Sequence, residues 1–145
     1  MIINATDTPL YFVTLFALWT VLLAVIVPVW RIALVASGLY RVSDFTPGDA
    51  HGSALYWRIN RAHANAVENL VVFAALAIAG IASGVSDPLF GTLCVIVMGA
   101  RILQSLIHIA SGAAAAVMAR FAAFAVQAVC YFVMGFMILL HHSAA

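Results

Sequence analysis

The stretch from Arg61 to Leu70, "RAHANAVENL", holds an arginine, a histidine, two asparagines and a glutamate within ten residues. It continues directly into "VVFAALAIAGIA" (Val71 to Ala82), which is as apolar as a lipid-facing segment. A helix through both parts exceeds the length of about 20 residues that crosses a bilayer. Ionisable groups inside such a helix are costly and usually face a protein interior or an aqueous cavity. The stretch therefore predicts a transmembrane helix with a polar site in its first half.

The composition of the whole chain also indicates a membrane protein. Of its 145 residues, 66% are hydrophobic and only 8% are charged, against about a quarter in a soluble domain. Such a chain cannot cover a water-exposed surface, so its apolar surface must face lipid. The net charge is +1 and the basic residues are six scattered arginines, which excludes a nucleic-acid patch. Cys94 and Cys130 lie in apolar runs and are interpreted as packing residues, and no metal site is expected.

Four segments have the length and hydrophobicity of membrane spans. We predict an all-α fold, a four-transmembrane-helix bundle forming a single domain over residues 1–145. Its helices are expected at about 10–38, 56–83, 89–110 and 117–140. The first apolar run is too long for a signal peptide and is predicted to be retained. Pro28 is expected to kink the first helix, and Asp87-Pro88 suits the start of the third. The alanine-rich segment from Ser111 to Ala119 is open, because it can extend either neighbouring helix.

The arginines predict the orientation of these helices. Arg41 and Arg58 flank the first loop, and Arg120 lies near the third loop on the same side. The hairpin on the opposite side has no lysine or arginine. By the positive-inside rule, we expect the first and third loops in the cytoplasm and both termini outside.

Polar residues recur at helical spacing on three of the predicted helices. The three stripes are Arg61, Asn65 and Glu68 on the second helix; Arg101, Gln104, Ser105 and His108 on the third; and Arg120, Phe124, Gln127 and Tyr131 on the fourth. Together they predict a polar pocket that opens toward the cytoplasm. Arginine binds carboxylates bidentately, and Glu68 can accept a ligand ammonium. Such a pocket suits a small, charged, peptide-like ligand.

Two of these charges are expected to form a structural ion pair. At about 1.5 Å per residue, Glu68 lies roughly 16 Å and Arg101 roughly 12 Å from the cytoplasmic side. Neither charge is tolerated alone at that depth, so Arg101 is predicted to pair with Glu68. For Arg120 the spacing leaves two interpretations open: a pocket residue, or an arginine that extends its head group to the membrane surface.

The pattern R-A-H-x-N-x-x-E-N in "RAHANAVENLVVF" resembles the signature of the MAPEG family, the membrane-associated proteins in eicosanoid and glutathione metabolism. Every fixed position matches. The segment "ARILQSLIH" (Ala100 to His108) is similar to the third-helix motif of that family. The segment "RFAAF" (Arg120 to Phe124) is similar to the start of its fourth helix, with the best match to the bacterial branch and to microsomal glutathione transferases. The resemblance implies a homotrimer in a bacterial inner membrane, with glutathione as co-substrate between subunits near the cytoplasmic side.

The same resemblance implies roles for individual residues. Arg61, Asn65, Glu68 and His108 would bind glutathione. Arg120 would be the catalytic residue, because it falls where the family places the arginine that stabilises the glutathione thiolate. Arg31, at the cytoplasmic end of the first helix, is a candidate for a further carboxylate ligand, although no motif supports it.

These observations leave more than one function open. The leading hypothesis is a glutathione-dependent transferase or peroxidase, whose thiolate attacks a lipophilic electrophile or a lipid hydroperoxide drawn from the bilayer. The alternative is a non-catalytic lipid- or thiol-binding scaffold of the same family. Phe124 favours the scaffold, because many members have a tyrosine there and phenylalanine donates no hydrogen bond to sulfur, unless Tyr131 or Ser105 substitutes. A small transport or assembly protein is the third hypothesis.

Overall fold

The structure is a computed structural model that describes residues 8–46 and 52–144. Its four long helices are α1 (Thr8–Ala36), α2 (Ala54–Ala82), α3 (Pro88–Ala110) and α4 (Ala114–Ala144), and a short 3-10 helix spans Val42–Asp44. All four long helices are sufficiently long and apolar to cross a membrane. The chain is therefore an all-α integral membrane protein with a four-helix bundle, as predicted.

The helices run alternately up and down. Asn65 of α2 contacts Arg101 of α3, and Arg58 at the start of α2 reaches Ile109 at the end of α3. These contacts place the α1–α2 and α3–α4 connections at one end of the bundle. We call it the arginine end, because all six arginines lie nearer to it than to the opposite end. The opposite end, which holds the α2–α3 connection, is called the hairpin end.

Local chemistry explains where the helices begin and end. The Ser53 hydroxyl caps α2 by accepting a hydrogen bond from the Tyr56 amide at 3.1 Å, and Asp87 caps α3 by accepting one from the Leu89 amide at 2.8 Å. Gly84, with φ of 76°, ends α2 in the left-handed conformation that glycine adopts without strain. The alanine-rich segment belongs to α4 from Ala114 onward, three residues earlier than expected.

Small residues let α2 approach its neighbours closely. Its buried face carries three alanines and a glycine, namely Ala62, Ala66, Ala77 and Gly80, as is common where membrane helices pack. At Gly80 a Cβ atom would lie 2.3 Å from Cζ of the buried Phe90. Phe16 and Phe73, with ring centroids 5.6 Å apart, extend this apolar core between α1 and α2.

Candidate functional site

Three arginines and a histidine converge at the arginine end of the bundle. Arg58 and Arg61 come from α2, His108 from the last turn of α3 and Arg120 from the first turns of α4. All three guanidinium groups lie close enough to His108 to act on its charge. We call Arg58, Arg61 and Arg120 the arginine cluster. Sequence reasoning had assigned Arg61, His108 and Arg120 to polar helix faces, and the fold brings these faces together within the chain.

The arginine cluster has the character of an anion site. None of its guanidinium groups forms an ion pair with an acidic residue among the residues that the structure describes. Arg58 is anchored by a hydrogen bond of 2.8 Å from its Nε to the carbonyl oxygen of Ile109, which ties α2 to the end of α3. Arg61 is exposed, whereas Arg58, His108 and Arg120 are half-buried. The cluster therefore offers several charged donors at the arginine end of the bundle, an arrangement that suits carboxylates or a thiolate.

Deeper in the bundle, Arg101 is the centre of a buried polar layer. Its side chain is 1% exposed, its Nη1 donates to Asn65 Oδ1 at 2.7 Å, and its guanidinium lies 5.3 Å from the centroid of the Phe16 ring. Its Nε and Nη2 have no hydrogen-bond partner among the described residues, and neither does the hydroxyl of Tyr131. That hydroxyl lies close enough to Arg101 to interact electrostatically. The layer thus holds a buried positive charge whose observed hydrogen-bond acceptor, within the described part of the chain, is the side-chain amide of Asn65.

The structure does not form the predicted ion pair between Arg101 and Glu68. Among residues 8–46 and 52–144, Asn65 accepts the hydrogen bond from Arg101 instead, and Glu68 is exposed. At about 1.5 Å per residue, Glu68 lies about 21 Å from the start of α2 but Arg101 only about 14 Å from the end of α3. Asn65, one turn nearer the arginine end, matches Arg101 better in depth and turns further inward.

The stripe on α2 therefore has a different role in packing from the one expected. Arg61 and Glu68 are exposed and Asn65 is half-buried, so the stripe lies on the outer side of the bundle. Asn69, which the sequence reasoning passed over, is the buried polar residue of α2, and its Nδ2 donates to the carbonyl oxygen of Asn65 at 2.9 Å. Asn69 follows Asn65 by four residues and so lies on the same face of the helix, which was the signal in the sequence that could have identified it.

Two further hydrogen bonds tie the polar layer to α1 and α4. Gln127 Nε2 donates to Gln104 Oε1 at 2.9 Å and joins α4 to α3. Trp19 Nε1 donates to Ser105 Oγ at 3.2 Å and joins α1 to α3. The sequence placed Gln104 and Gln127 on polar faces, but their equal depth becomes visible only when the helices are packed.

Arg31 lies apart from the arginine cluster. Its Nε donates to the hydroxyl of Tyr56, and its guanidinium lies 5.3 Å from the centroid of the Phe45 ring. These contacts hold Phe45 and the first turn of α2 against α1. The structure thus brings together Arg61, His108 and Arg120 of the predicted glutathione site, whereas Arg31 contacts Tyr56 and Phe45.

Phe124 follows Arg120 by one turn of α4, and its side chain is 39% exposed. The hydroxyls of Tyr131 and Ser105, the two predicted substitutes for a hydroxyl at position 124, belong to the buried polar layer. On the hairpin side of this layer, an open apolar cleft of about 400 Å³ lies between α2 and α4, with Val72, Leu76 and Gly135 in its walls.

Comparison with models of known protein families identifies a match to this chain. The model of the MAPEG family matches residues 9–140, a range that includes most of α1, all of α2 and α3, and α4 to within a turn of its end. No curated protein matches the chain significantly.

Proposed function

Because the chain belongs to the MAPEG family, we propose that it binds glutathione and activates the glutathione thiolate for attack on lipophilic electrophiles or lipid hydroperoxides. The observation that carries this proposal is the arginine cluster around His108, whose charges have no acidic partner among the described residues. Glutathione brings two carboxylates and an ionisable thiol, which are the groups that such a cluster binds.

The proposal gives each predicted residue a chemical task. Arg61 and His108 bind a glutathione carboxylate, the Asn65 side chain orients the peptide backbone, and Glu68 accepts the ammonium group. Arg120 lies beside the sulfur. A free thiol has a pKa of about 8.5, and an adjacent guanidinium raises the thiolate fraction at neutral pH. The sulfur then forms a bond to the electrophilic atom of the second substrate as its leaving group departs.

The outward position of Glu68 supports assembly from several subunits. Glu68 is the middle residue of the 29-residue helix α2, yet it is exposed within one subunit. A carboxylate at the centre of a membrane span does not face lipid without a large cost. A second copy of the chain covers this face in our proposal, and the assembly is a homotrimer with glutathione between neighbouring subunits. Arg31, which is engaged by Tyr56 and Phe45, stays a prediction as a further carboxylate ligand.

The lipophilic substrate enters from the bilayer in this proposal. The apolar cleft between α2 and α4 offers about 400 Å³ for it, on the hairpin side of the polar layer. The arginine end lies in the cytoplasm, in keeping with the positive-inside rule, and the membrane is a bacterial inner membrane. Glutathione thus reaches its site from water and the second substrate from lipid.

A second candidate function is a non-catalytic lipid- or thiol-binding scaffold. The observation that favours it is Phe124, because an exposed phenyl ring one turn from Arg120 donates no hydrogen bond to a sulfur. In the scaffold, glutathione or a lipid binds without a change in the protonation of a thiol.

Binding of glutathione to the purified protein in neutral detergent tests the shared part of both candidates. Titration calorimetry is expected to show saturable binding that Arg61→Ala weakens about tenfold, as expected for a charge-assisted hydrogen bond of about 1.5 kcal/mol. Arg41→Ala is the matched control, since Arg41 is an exposed arginine of the same end but lies outside the cluster. A wild-type protein that fails to bind glutathione contradicts the proposal.

A further inference from the structure

A second cavity lies at the arginine end, between the last turns of α1 and the 3-10 helix. Its volume is about 390 Å³. Its lining consists of one charged and five apolar residues, namely Arg31, Ile32, Val35, Ala36, Val42 and Phe45. We call it the Arg31 pocket. None of the residues of the arginine cluster belongs to this lining, so it is a separate place on the molecule.

The charge in the Arg31 pocket is held in a fixed position. The guanidinium lies 5.3 Å from the centroid of the Phe45 ring and 5.9 Å from that of Tyr56, and its Nε donates to the Tyr56 hydroxyl. No acidic residue in the described part of the chain forms an ion pair with it. The pocket therefore combines an oriented guanidinium, which has no acidic partner among residues 8–46 and 52–144, with apolar walls.

The pocket lies at the depth of the membrane interface. Arg31 precedes the end of α1 at Ala36 by about 8 Å at 1.5 Å per residue, near the boundary between acyl chains and head groups. Beyond the helix, Leu39 and Val42 are apolar and yet 73% and 78% exposed. Tyr40 stacks against Phe45 with centroids 5.8 Å apart. Aromatic rings and exposed apolar side chains of this kind are typical of a segment that lies in the interfacial layer.

We propose that the Arg31 pocket binds an anionic phospholipid of the leaflet at the arginine end. A phosphate oxygen of the head group accepts hydrogen bonds from the free edge of the Arg31 guanidinium, and an acyl chain lies along Ile32, Val35 and Ala36. Charge complementarity supports the head group, since guanidinium groups bind phosphate strongly and basic pockets beside membrane helices bind anionic lipids. The apolar walls support a phospholipid over a free phosphate. This inference goes beyond the proposed function, because it places Arg31 on a lipid rather than on glutathione.

Thermal unfolding of the purified protein in neutral detergent tests the lipid site. Phosphatidylglycerol is expected to raise the unfolding midpoint in a saturable manner, whereas phosphatidylcholine with the same acyl chains is not. Arg31→Gln is expected to weaken the apparent affinity for phosphatidylglycerol about tenfold, as for loss of a charge-assisted contact. Arg41→Gln, the same change at an exposed arginine of the same end, is expected to leave it unchanged. Ala36→Trp keeps Arg31 but fills the pocket, and it is expected to weaken binding as well.

Each contrary outcome overturns the lipid assignment. If the two lipids raise the unfolding midpoint equally, the site does not recognise the head group. If Arg31→Gln and Arg41→Gln lose equal affinity for phosphatidylglycerol, the effect is due to non-specific surface charge. If inorganic phosphate shifts the unfolding midpoint as much as phosphatidylglycerol does, the acyl chain does not contribute to binding. If Arg31→Gln does not fold, an unchanged phosphatidylglycerol effect in Ala36→Trp contradicts the proposal. If Arg31→Gln loses glutathione binding but keeps the midpoint shift from phosphatidylglycerol, Arg31 is a glutathione ligand and not a lipid ligand.

Discussion

Arg101 of α3 and Asn65 of α2 are joined by a hydrogen bond of 2.7 Å between Nη1 and Oδ1, inside the membrane-spanning part of the bundle. The bond connects the buried polar layer to the stripe of α2 that carries Arg61 and Glu68. Asn65, which is expected to contact glutathione, is thus fixed in position by Arg101 of another helix. This relationship makes Arg101 a positioning residue in the proposed site.

Asn65→Leu is expected to lower the free energy of unfolding by about 2 kcal/mol, because it leaves the buried guanidinium of Arg101 without its one observed acceptor. In an Arg101→Met background the same substitution is expected to cost clearly less, since no charge then requires the acceptor. Unfolding in a denaturing detergent measures all four proteins of this cycle. Equal costs of Asn65→Leu in the two backgrounds contradict the coupling.

Gly80→Ala is expected to destabilise the bundle by about 1–3 kcal/mol, the usual cost of overpacking a core. The added Cβ atom would lie 2.3 Å from Phe90 Cζ, so the ring and the α2–α3 crossing have to shift. Gly99→Ala is the control, because a Cβ atom there has nothing within 4 Å and alanine favours the helix. If the two variants have the same free energy of unfolding, α2 and α3 do not pack as closely at Gly80 as described.

Gln127→Leu is expected to cost about 1–2 kcal/mol, since it leaves the buried Gln104 side chain without the hydrogen bond that joins α3 to α4. The double variant Gln104→Leu/Gln127→Leu is expected to recover much of that stability, because neither amide then remains buried without a partner. Unfolding measured in the same detergent series distinguishes the single from the double variant. A double variant less stable than both single variants contradicts the pairing.

Glu68→Arg is expected to weaken subunit assembly, because it reverses a charge at the middle of the outward face of α2. Native mass spectrometry of the detergent-solubilised protein is expected to show three subunits for the wild type and smaller species for this variant. Asp44→Arg makes the same change of charge at an exposed loop position, and its assembly is expected to remain trimeric. If the wild-type protein is monomeric in the membrane, no second copy of the chain covers Glu68 and the proposed assembly is contradicted.

The four membrane spans could be predicted because hydrophobic length and turn residues are properties of single segments. Asp87-Pro88 and Ser53 mark helix starts through local hydrogen bonds, so the predicted boundaries fall within about three residues of the observed starts. The start of α4 could not be decided in advance, because alanine suits either neighbouring helix and only packing selects one.

The candidate site was predictable only in part. Helical spacing placed Arg61, His108 and Arg120 on polar faces, and the fold brings those faces together. The choice of Asn65 over Glu68 as the acceptor for Arg101 depends on the relative depth and rotation of two helices, which the sequence does not contain. The hydrogen bond from Arg58 to Ile109 was missed for the same reason, since nothing in the sequence relates the start of α2 to the end of α3.

The most direct test of the proposed function is the ultraviolet absorbance of the thiolate when glutathione binds to the purified protein at neutral pH. A rise in thiolate absorbance is expected for the wild type, with an equal rise for Arg41→Ala and no rise for Arg120→Ala. Calorimetry on the same samples shows that glutathione is bound in each case. If the wild type binds glutathione without forming a thiolate, or if the thiolate persists in Arg120→Ala, the proposed activation of glutathione by Arg120 is contradicted.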